Sequence, residues 1–129
     1  MLIAPTFRRQ LERIVGADGI VTSVPGLRVY ECDGYMLERA RPELVVLPRT
    51  AAEVSTVVSM CAREGIPFVP RGAGTGVSGG CLPLDIPVMI ATPRIRAIRH
   101  IDLANRRIEV EAGVVNLEVT RRVRDAGLS

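Results

Sequence analysis

Apolar side chains recur along the first part of the chain at the spacing of a helix. Residues at positions i, i+4, i+7 and i+8 form one apolar stripe, and these are Phe7, Leu11, Ile14 and Val15. We predict an amphipathic helix that Thr6 caps and Gly16 ends. Residues 16–43 are expected to be irregular, because they show no period and contain the turn signal Pro25-Gly26 and the helix breaker Pro42.

The middle of the chain predicts a strand, a helix and a second strand. Residues 44–47 are wholly apolar, which is typical of a short strand covered on both faces. Thr50 and Glu53 have the spacing of a capping box. The helix behind them ends at Gly65, and its apolar stripe consists of Val54, Val57, Val58 and Cys61. Residues 66–69 then predict a second strand, parallel to the first through a right-handed crossover.

The remaining residues predict shorter strands. Residues 88–90 form another apolar run. Residues 97–101 and 107–111 alternate apolar with polar side chains, as half-buried antiparallel strands do, and Asn105 lies at the turn between them. Asp85 and Asp102 also have the character of turn residues.

The C-terminal residues predict a last helix. Asn116 is expected to cap it and Gly127 to end it, and its inward side chains are expected to be Leu117, Val119 and Val123. The whole pattern therefore predicts an α+β fold. A βαβ unit with short parallel strands is followed by a small antiparallel meander and a helix.

The least ordinary segment is Arg-Gly-Ala-Gly-Thr-Gly-Val-Ser-Gly-Gly at residues 71–80. It holds five of the twelve glycines and no large apolar side chain. Glycine loses more conformational freedom on folding than other residues, so such a run needs a compensating role. Consecutive backbone N–H groups that turn inward can bind phosphate oxygens. The segment also follows a predicted parallel strand, and ligands bind at the carboxyl ends of such strands. We therefore predict a phosphate-binding loop.

Two common phosphate loops do not fit this segment. Gly74, Gly76 and Gly79 have the spacing of the dinucleotide fingerprint, but a Rossmann-type loop opens into a helix. Here Pro83 follows the loop, and the helix of the unit precedes it. A P-loop NTPase needs a lysine, whereas all seventeen basic residues of this chain are arginines.

Composition narrows the function further. The formal net charge is only +3 and aromatic residues make up 3% of the chain, so nucleic-acid binding is disfavoured. The three cysteines include no Cys-x-x-Cys pair, and His100 is the one histidine, so no metal site is predicted. Buried, reduced thiols in a cytoplasmic protein are expected instead. No apolar run approaches the ~20 residues that span a bilayer.

Several motifs, taken in order, resemble the flavin-binding part of the vanillyl-alcohol-oxidase superfamily, the PCMH-type FAD-binding domain. The resemblance covers the chain from about Tyr30 to its last residue and favours the branch of the glycolate oxidase FAD-linked subunit and D-lactate dehydrogenases. The matching motifs are Tyr30-Glu31-Cys32-Asp33-Gly34, Arg41-Pro42, Pro48-Arg49-Thr50, Glu53-Val54, Val69-Pro70-Arg71-Gly72-Ala73-Gly74-Thr75-Gly76, Gly79-Gly80-Cys81-Leu82-Pro83-Leu84 and Glu111-Ala112-Gly113-Val114.

The resemblance implies that the glycine segment clamps the pyrophosphate of FAD with its backbone amides. Arg71 either helps to neutralise the pyrophosphate or forms a surface ion pair. Ser78 either binds phosphate or braces its own turn. Gly113 either approaches the adenine side of the cofactor or ends a strand. The implied cofactor-binding residues are Pro48, Arg71, Gly72, Ala73, Gly74, Thr75, Gly76, Ser78, Gly79, Gly80, Cys81 and Gly113.

The resemblance also implies the activity of a longer protein. FAD would accept a hydride from a 2-hydroxy acid such as glycolate or D-lactate, and an iron–sulfur partner subunit would take the electrons. Residues 1–43 would be a lead-in, residues 44–129 the first part of the FAD-binding domain, and the substrate domain would lie beyond. We expect no catalytic residue in this chain, His100 to be structural, and weak or no FAD binding by the chain alone.

Two other functions remain open at this point. One is a non-catalytic nucleotide-binding or assembly fragment whose phosphate loop is empty or serves another phosphorylated ligand. The other is a flavoprotein of the same superfamily with a different substrate, such as a sugar alcohol or a cell-wall precursor.

Overall fold

The computed structural model describes residues 3–128, which form a mixed α+β fold. The helices are α1 (Pro5–Val15), α2 (Val24–Leu27), α3 (Ala51–Arg63) and α4 (Asn116–Val123), and short 3-10 turns lie at Ala17–Gly19, Arg28–Tyr30 and Arg124–Ala126. The strands are β1 (Ile20–Val21), β2 (Leu44–Val46), β3 (Phe68–Arg71), β4 (Val88–Ala91), β5 (Ile98–Asp102) and β6 (Arg107–Val110). The α+β class, with parallel strands, an antiparallel pair and a final helix, is confirmed.

The main sheet has the strand order β1-β2-β4-β3. β4 lies at its centre and pairs in parallel with both β2 and β3, so that Val88 is opposite Leu44 on one side and Phe68 on the other. β1 adds an antiparallel edge next to β2. The strand predicted at residues 88–90 is therefore the central parallel strand β4, whose four residues are all buried and apolar. β5 and β6 form a separate antiparallel hairpin.

Apolar clusters cover both faces of the main sheet. Successive strand residues point to opposite faces, so each strand contributes to both clusters. On one face α1 and α3 pack against the strands through Phe7, Leu11, Val15, Val57, Met60, Cys61, Leu44, Val46, Val88 and Ile90. On the other face the buried residues are Leu27, Val45, Val69, Met89 and Ala91. The prediction that residues 44–47 form a strand covered on both faces is confirmed for β2.

Helix α3 begins with the predicted cap. The Thr50 hydroxyl accepts a hydrogen bond from the Glu53 N–H at 3.1 Å. The Glu53 carboxylate accepts from the Arg49 N–H at 2.7 Å, one residue earlier than in a standard capping box. Gly65 follows the helix with a φ of +63°, which is the left-handed conformation expected at its end.

Helix α1 does not begin at its predicted cap. Ala4 is the N-cap residue, no side chain caps the helix, and Thr6 lies inside it. Pro5 occupies the first helical position, where its missing N–H costs nothing and its φ suits a helix. The prediction of Thr6 as a cap is therefore wrong, whereas Gly16 does end the helix, with a φ of +81°.

The lead-in between α1 and β2 is more ordered than predicted. Pro25 and Gly26 lie inside α2, which Ser23 caps by accepting a hydrogen bond from the Gly26 N–H at 3.3 Å. Leu27 of this helix is buried against the main sheet. These elements are too short for a hydrophobic period to reveal them.

Helix α4 has no side-chain cap, and its N-cap residue is Val115, so the prediction for Asn116 is wrong. Leu117 is 54% exposed, which also contradicts its predicted inward position. Val123 is buried as predicted, and Gly127 ends the following turn with a φ of +70°. An amphipathic pattern shows which side chains share a face but not whether another element covers that face.

Candidate phosphate-binding site

The carboxyl ends of β2, β3 and β4 lie at one edge of the main sheet, because these strands are parallel. Pro48, Gly72 and Thr92 follow the three strands within two residues. The Thr92 N–H donates to the Arg71 carbonyl at 3.0 Å and joins the ends of β4 and β3. The glycine loop (residues 72–81) leaves β3 at this edge, where the sequence places ligand binding.

The glycine loop surrounds a cavity of about 390 Å³. Its walls bring together eight of the predicted binding residues, namely Gly72, Ala73, Gly74, Thr75, Gly76, Ser78, Gly80 and Cys81. Val77 and Asp33 complete the walls. Six of these ten residues lack a side-chain functional group, so there the backbone N–H and C=O groups are the polar groups of the wall.

The fold explains some of the loop glycines and leaves others unexplained. Gly74 and Gly79 each have a φ of +72°, which favours glycine. Gly72, Gly76 and Gly80 have no such φ, and a Cβ added to any of them would meet no atom within 4 Å. All three line the cavity. At these three positions the backbone is exposed to the cavity, and a methyl group would occupy the space beside it. Such space suits a ligand that approaches the main chain closely.

The loop hydroxyls also face no protein partner. Thr75 and Ser78 are exposed, and within residues 3–128 neither side chain makes a hydrogen bond. The predicted alternative that Ser78 braces its own turn is therefore wrong. Both hydroxyl groups remain available to phosphate oxygens, for which they are suitable donors.

Four predicted binding residues lie outside the cavity walls, namely Pro48, Arg71, Gly79 and Gly113. The Pro48 side chain is fully buried. A Cβ on Gly79 would meet the Tyr35 ring at 3.5 Å. Gly113 packs against the Thr92 carbonyl so closely that a Cβ would overlap it, and its N–H donates to Ile95 at 2.7 Å. Gly113 instead lines a separate cleft of about 570 Å³ between the hairpin and α4.

Arg71 lies beneath the cavity and not on its wall. Its side chain is 8% exposed, and its Nη1 donates to the Cys32 carbonyl at 2.8 Å. A Cβ on Gly74 would overlap the Arg71 guanidinium, so this group lies directly against the loop backbone. The predicted alternative of a surface ion pair is wrong, because the group is buried and no carboxylate among the described residues pairs with it.

A second segment, which was not among the predicted binding residues, also shapes the cavity, and we call it the strap (residues 30–35). The Asp33 carboxylate is buried, accepts a hydrogen bond from the Tyr35 N–H at 2.7 Å, and lines the cavity. A Cβ on Gly34 would lie 2.7 Å from the Gly76 carbonyl oxygen, so the strap touches the loop directly. The Asp-Gly pair within a family-like motif was the signal that could have indicated this segment.

Cys81 joins the strap to the end of the loop. Its thiol donates to the Asp33 carboxylate at 3.5 Å and lies 3.5 Å from Arg71 Nη1. Burial raises the pKa of Cys81, with Asp33 adding to the rise and the positive charge of Arg71 opposing it. The protonated thiol is therefore the form that this site favours.

The expectation of three buried thiols holds for one residue. Cys61 is buried in the core, and burial raises its pKa above the ordinary value. Cys32 and Cys81 are half-buried, because the strap and the loop lie at the surface of the sheet edge. All three thiols are free.

Other kinds of site are not apparent in the part of the chain that is described. Across residues 3–128, His, Cys, Asp and Glu side chains form no group of three that could hold a metal ion. None of the helices within this range combines the length and the apolar character required to cross a membrane. His100 is exposed on β5, opposite Glu109.

Comparison with known sequences points to one family. Residues 42–129 match the family described as "FAD binding domain". The glycolate oxidase subunit GlcD of Escherichia coli (strain K12) is 42% identical over an alignment of 109 residues, and the match covers 78% of this chain and 22% of the relative. GlcD of Bacillus subtilis (strain 168) is 30% identical over 127 residues, or 98% of this chain and 27% of the relative. A D-lactate dehydrogenase of Anaerostipes hadrus is 32% identical, covering 70% of this chain and 19% of that protein.

Solved structures share the fold at lower identity. An alkyldihydroxyacetonephosphate synthase superposes with a TM-score of 0.84 at 18% identity, covering 98% of this chain and 26% of the other. A p-cresol methylhydroxylase with substrate bound superposes with a TM-score of 0.80 at 21% identity, also covering 98% of this chain and 26% of the other. The chain thus spans about a fifth to a quarter of the length of the proteins that it matches.

Proposed function

Because the chain belongs to the FAD-binding domain family, we propose that its glycine loop binds the pyrophosphate of FAD. The cofactor of this domain is FAD. The observation that carries the proposal is the set of three cavity glycines, Gly72, Gly76 and Gly80, whose Cβ positions are empty and whose φ angles do not require glycine. A diphosphate in contact with their backbone N–H groups would account for all three.

The proposed contacts come mainly from the backbone. Phosphate oxygens accept hydrogen bonds from the backbone N–H groups of residues 72–76. The hydroxyl groups of Thr75 and Ser78 add two donors. Gly80 and Cys81, at the end of the loop, line the cofactor. Pro48, Gly79 and Gly113 remain proposed neighbours of the cofactor through main-chain atoms. Arg71 contributes positive charge from beneath the loop.

For the whole protein we propose an oxidoreductase that takes a hydride from a 2-hydroxy acid of the glycolate or D-lactate type. Bound FAD supplies the hydride-accepting chemistry. The residues of this chain bind and orient the phosphates, and none is proposed to be catalytic. The similarity to GlcD and to a D-lactate dehydrogenase supports this substrate class. The relatives named GlcD are subunits, which supports a partner subunit, proposed to carry iron–sulfur clusters. The cytoplasm is the proposed location.

The proposal is tested by replacing chosen glycines with alanine and measuring both FAD affinity and folding stability. Gly72→Ala, Gly76→Ala and Gly80→Ala each place a methyl group in open cavity space, so the folded chain should keep its stability within about 0.5 kcal/mol. Each should weaken FAD binding at least tenfold, because the methyl group occupies the ligand's space. FAD affinity is measured by equilibrium dialysis and stability by urea unfolding.

Gly65→Ala is the matched control, because Gly65 lies outside the cavity and has a φ of +63°. This change should cost about 1 kcal/mol of stability and leave FAD affinity unchanged. Unchanged FAD affinity in all three cavity variants would contradict the proposed site.

The proposed reaction is tested separately. Glycolate or D-lactate, added without oxygen to the FAD-loaded whole protein, should bleach the flavin absorbance. Bleaching by a sugar alcohol alone would indicate a different substrate class. A protein that binds FAD but is reduced by none of these compounds would favour a non-catalytic nucleotide-binding role.

A further inference from the structure

Arg71 connects three parts of the site from its buried side. It ends β3, and Arg71 and Asp33 are the charged residues that the fold buries within residues 3–128. Nη1 of Arg71 donates to the Cys32 carbonyl of the strap at 2.8 Å and approaches Cys81 Sγ at 3.5 Å. The guanidinium carbon lies 5.7 Å from the centre of the Tyr30 ring, within the range of a cation–π contact.

The same side chain also contacts the underside of the glycine loop. Gly74 has a φ of +72°, and its missing Cβ leaves the space that the Arg71 guanidinium fills. From the other side, Gly34 of the strap approaches the Gly76 carbonyl. The loop is thus held between the strap and Arg71 by contacts within the protein. Holding a loop in its bound shape reduces the entropy lost on binding.

The charge of Arg71 matters as well as its contacts. The cavity wall carries one charged side chain, the Asp33 carboxylate, which would repel a phosphate group. Arg71 carries a positive charge, and because the group is buried this charge is only weakly screened by salt. Positive charge directly behind the loop therefore offsets the negative charge on the wall.

We propose that Arg71 is a positioning residue, which holds the glycine loop in its phosphate-binding shape and offsets the charge of Asp33 without itself contacting phosphate. The identity of the ligand rests on the function proposed above, whereas the shape of the loop does not. This role goes beyond the two alternatives predicted for Arg71, which were to help neutralise the pyrophosphate or to form a surface ion pair.

The first test needs no ligand. Amide hydrogen exchange is measured for residues 73–77 in the wild-type chain and in Arg71→Met and Arg71→Lys. We expect at least about tenfold faster exchange in Arg71→Met and an intermediate rate in Arg71→Lys, because lysine keeps the charge but cannot reach the same partners. Arg63→Met is the control, since Arg63 is exposed, forms an ion pair with Glu64 at the end of α3 and should leave the loop unchanged.

A second variant covers the case in which Arg71→Met does not fold. Gly34→Ala pushes the strap away from the loop and leaves Arg71 in place, so it should also increase exchange at residues 75–77. Unchanged exchange in the folded variants would overturn the positioning role. A direct phosphate contact predicts this result, because removing such a contact alters only the bound state.

The second test uses FAD and inorganic pyrophosphate as probes. Arg71→Met should weaken binding of both at least tenfold. Asp33→Asn should strengthen binding more in the Arg71→Met background than in the wild type. In Arg71→Met the negative charge of Asp33 is no longer offset by a positive charge, so its removal has a larger effect. Equal effects of Asp33→Asn in both backgrounds would overturn the charge-offset role. If the wild-type chain alone binds neither probe, the same variants are compared in the whole protein, where absence of FAD binding would contradict the proposed function. The exchange measurements decide the role of Arg71 in either case.

Discussion

The two sheets of the molecule differ in how completely other elements cover them. Every residue of β2 and β4 in the main sheet is buried, with helices on one face and α2 and loops on the other. In the hairpin, no residue of β5 or β6 is fully buried, and Val110 is 38% exposed. Leu117 of the neighbouring α4 is exposed as well. The main sheet therefore has a complete core within the described residues, whereas the hairpin and α4 do not.

This difference bears on the candidate site. The glycine loop leaves the covered sheet at β3, and its contacts with Arg71 and the strap lie on the same side of the molecule. Where the hairpin joins the rest of the molecule, Gly113 packs tightly on Thr92 and its N–H donates to the Ile95 carbonyl. The shape of the loop should therefore depend on the main sheet and far less on the hairpin.

The largest expected effect distinguishes the two regions by their stability. Leu11→Ala removes a side chain with 0% exposure from the main core and should cost about 2–5 kcal/mol of unfolding free energy. Leu117→Ala, on the uncovered helix, should change it by less than about 0.5 kcal/mol. Urea unfolding followed by circular dichroism measures both. Similar losses in the two variants would show that the hairpin side is covered in solution.

The next prediction concerns the attachment between the two regions. Gly113→Ala places a methyl group against the Thr92 and Ile95 carbonyls and should cost about 1–3 kcal/mol. Amide exchange should increase in β5 and β6 and stay slow in β2 and β4. Gly72→Ala is the control, because its methyl group meets no atom. Increased exchange in the main sheet would contradict the separation of the two regions.

A smaller loss of stability is expected at the N-termini of the helices that pack on the main sheet. Thr50→Ala removes the acceptor for the Glu53 N–H and should cost about 1 kcal/mol. Thr6→Ala should cost less than about 0.5 kcal/mol, since Thr6 caps no helix. Thermal unfolding of both variants measures these two losses of stability. Equal losses would restore Thr6 as a cap.

The smallest effect is a pH dependence of the hairpin. Hydrogen bonds from the Ala97 N–H and Arg99 lower the pKa of Glu111 below its ordinary value of 4.5, and those from Asn105 lower the pKa of Asp102 below 3.8. A carboxylate whose pKa is lower in the folded than in the unfolded state stabilises the hairpin at pH values above its unfolded-state pKa. This contribution to stability is lost as the pH falls through the folded-state pKa. The hairpin should therefore loosen in acid before the main sheet does.

Backbone amide spectra recorded from neutral pH to about pH 3 would detect this order of events. Asn105→Ala should raise the pKa of Asp102 towards its ordinary value and move the loosening of the turn to higher pH. Loss of the main-sheet signals before those of the hairpin would contradict the prediction.

Much of the fold was predictable from local hydrogen bonds and from the spacing of apolar residues along the chain. The Thr50 cap, the glycine stops after α1 and α3, and the buried strand β2 all depend on residues within a few positions of one another. The place of β4 between β2 and β3 depends on pairing across the sheet, which no local pattern contains. The exposure of Leu117 likewise depends on whether a distant element covers its face.

The candidate site shows the same limit. The glycine run was visible in the sequence because it is local, and eight of its predicted residues line one cavity. Asp33 meets Cys81 across 48 positions, and Arg71 meets Cys32 across 39, so neither contact follows from spacing along the chain. The family resemblance of residues 30–34 indicated that this segment matters but not what it touches.

The central claim is that the glycine loop binds the pyrophosphate of FAD through its backbone amides. Titration of the ¹⁵N-labelled chain with FAD, followed by amide chemical shifts, tests it most directly and also detects weak binding. We predict the largest shifts at residues 72–76 and 80–81, with little change for riboflavin, which lacks the pyrophosphate. Shifts confined to the cleft between the hairpin and α4, or equal responses to riboflavin and FAD, would contradict the claim.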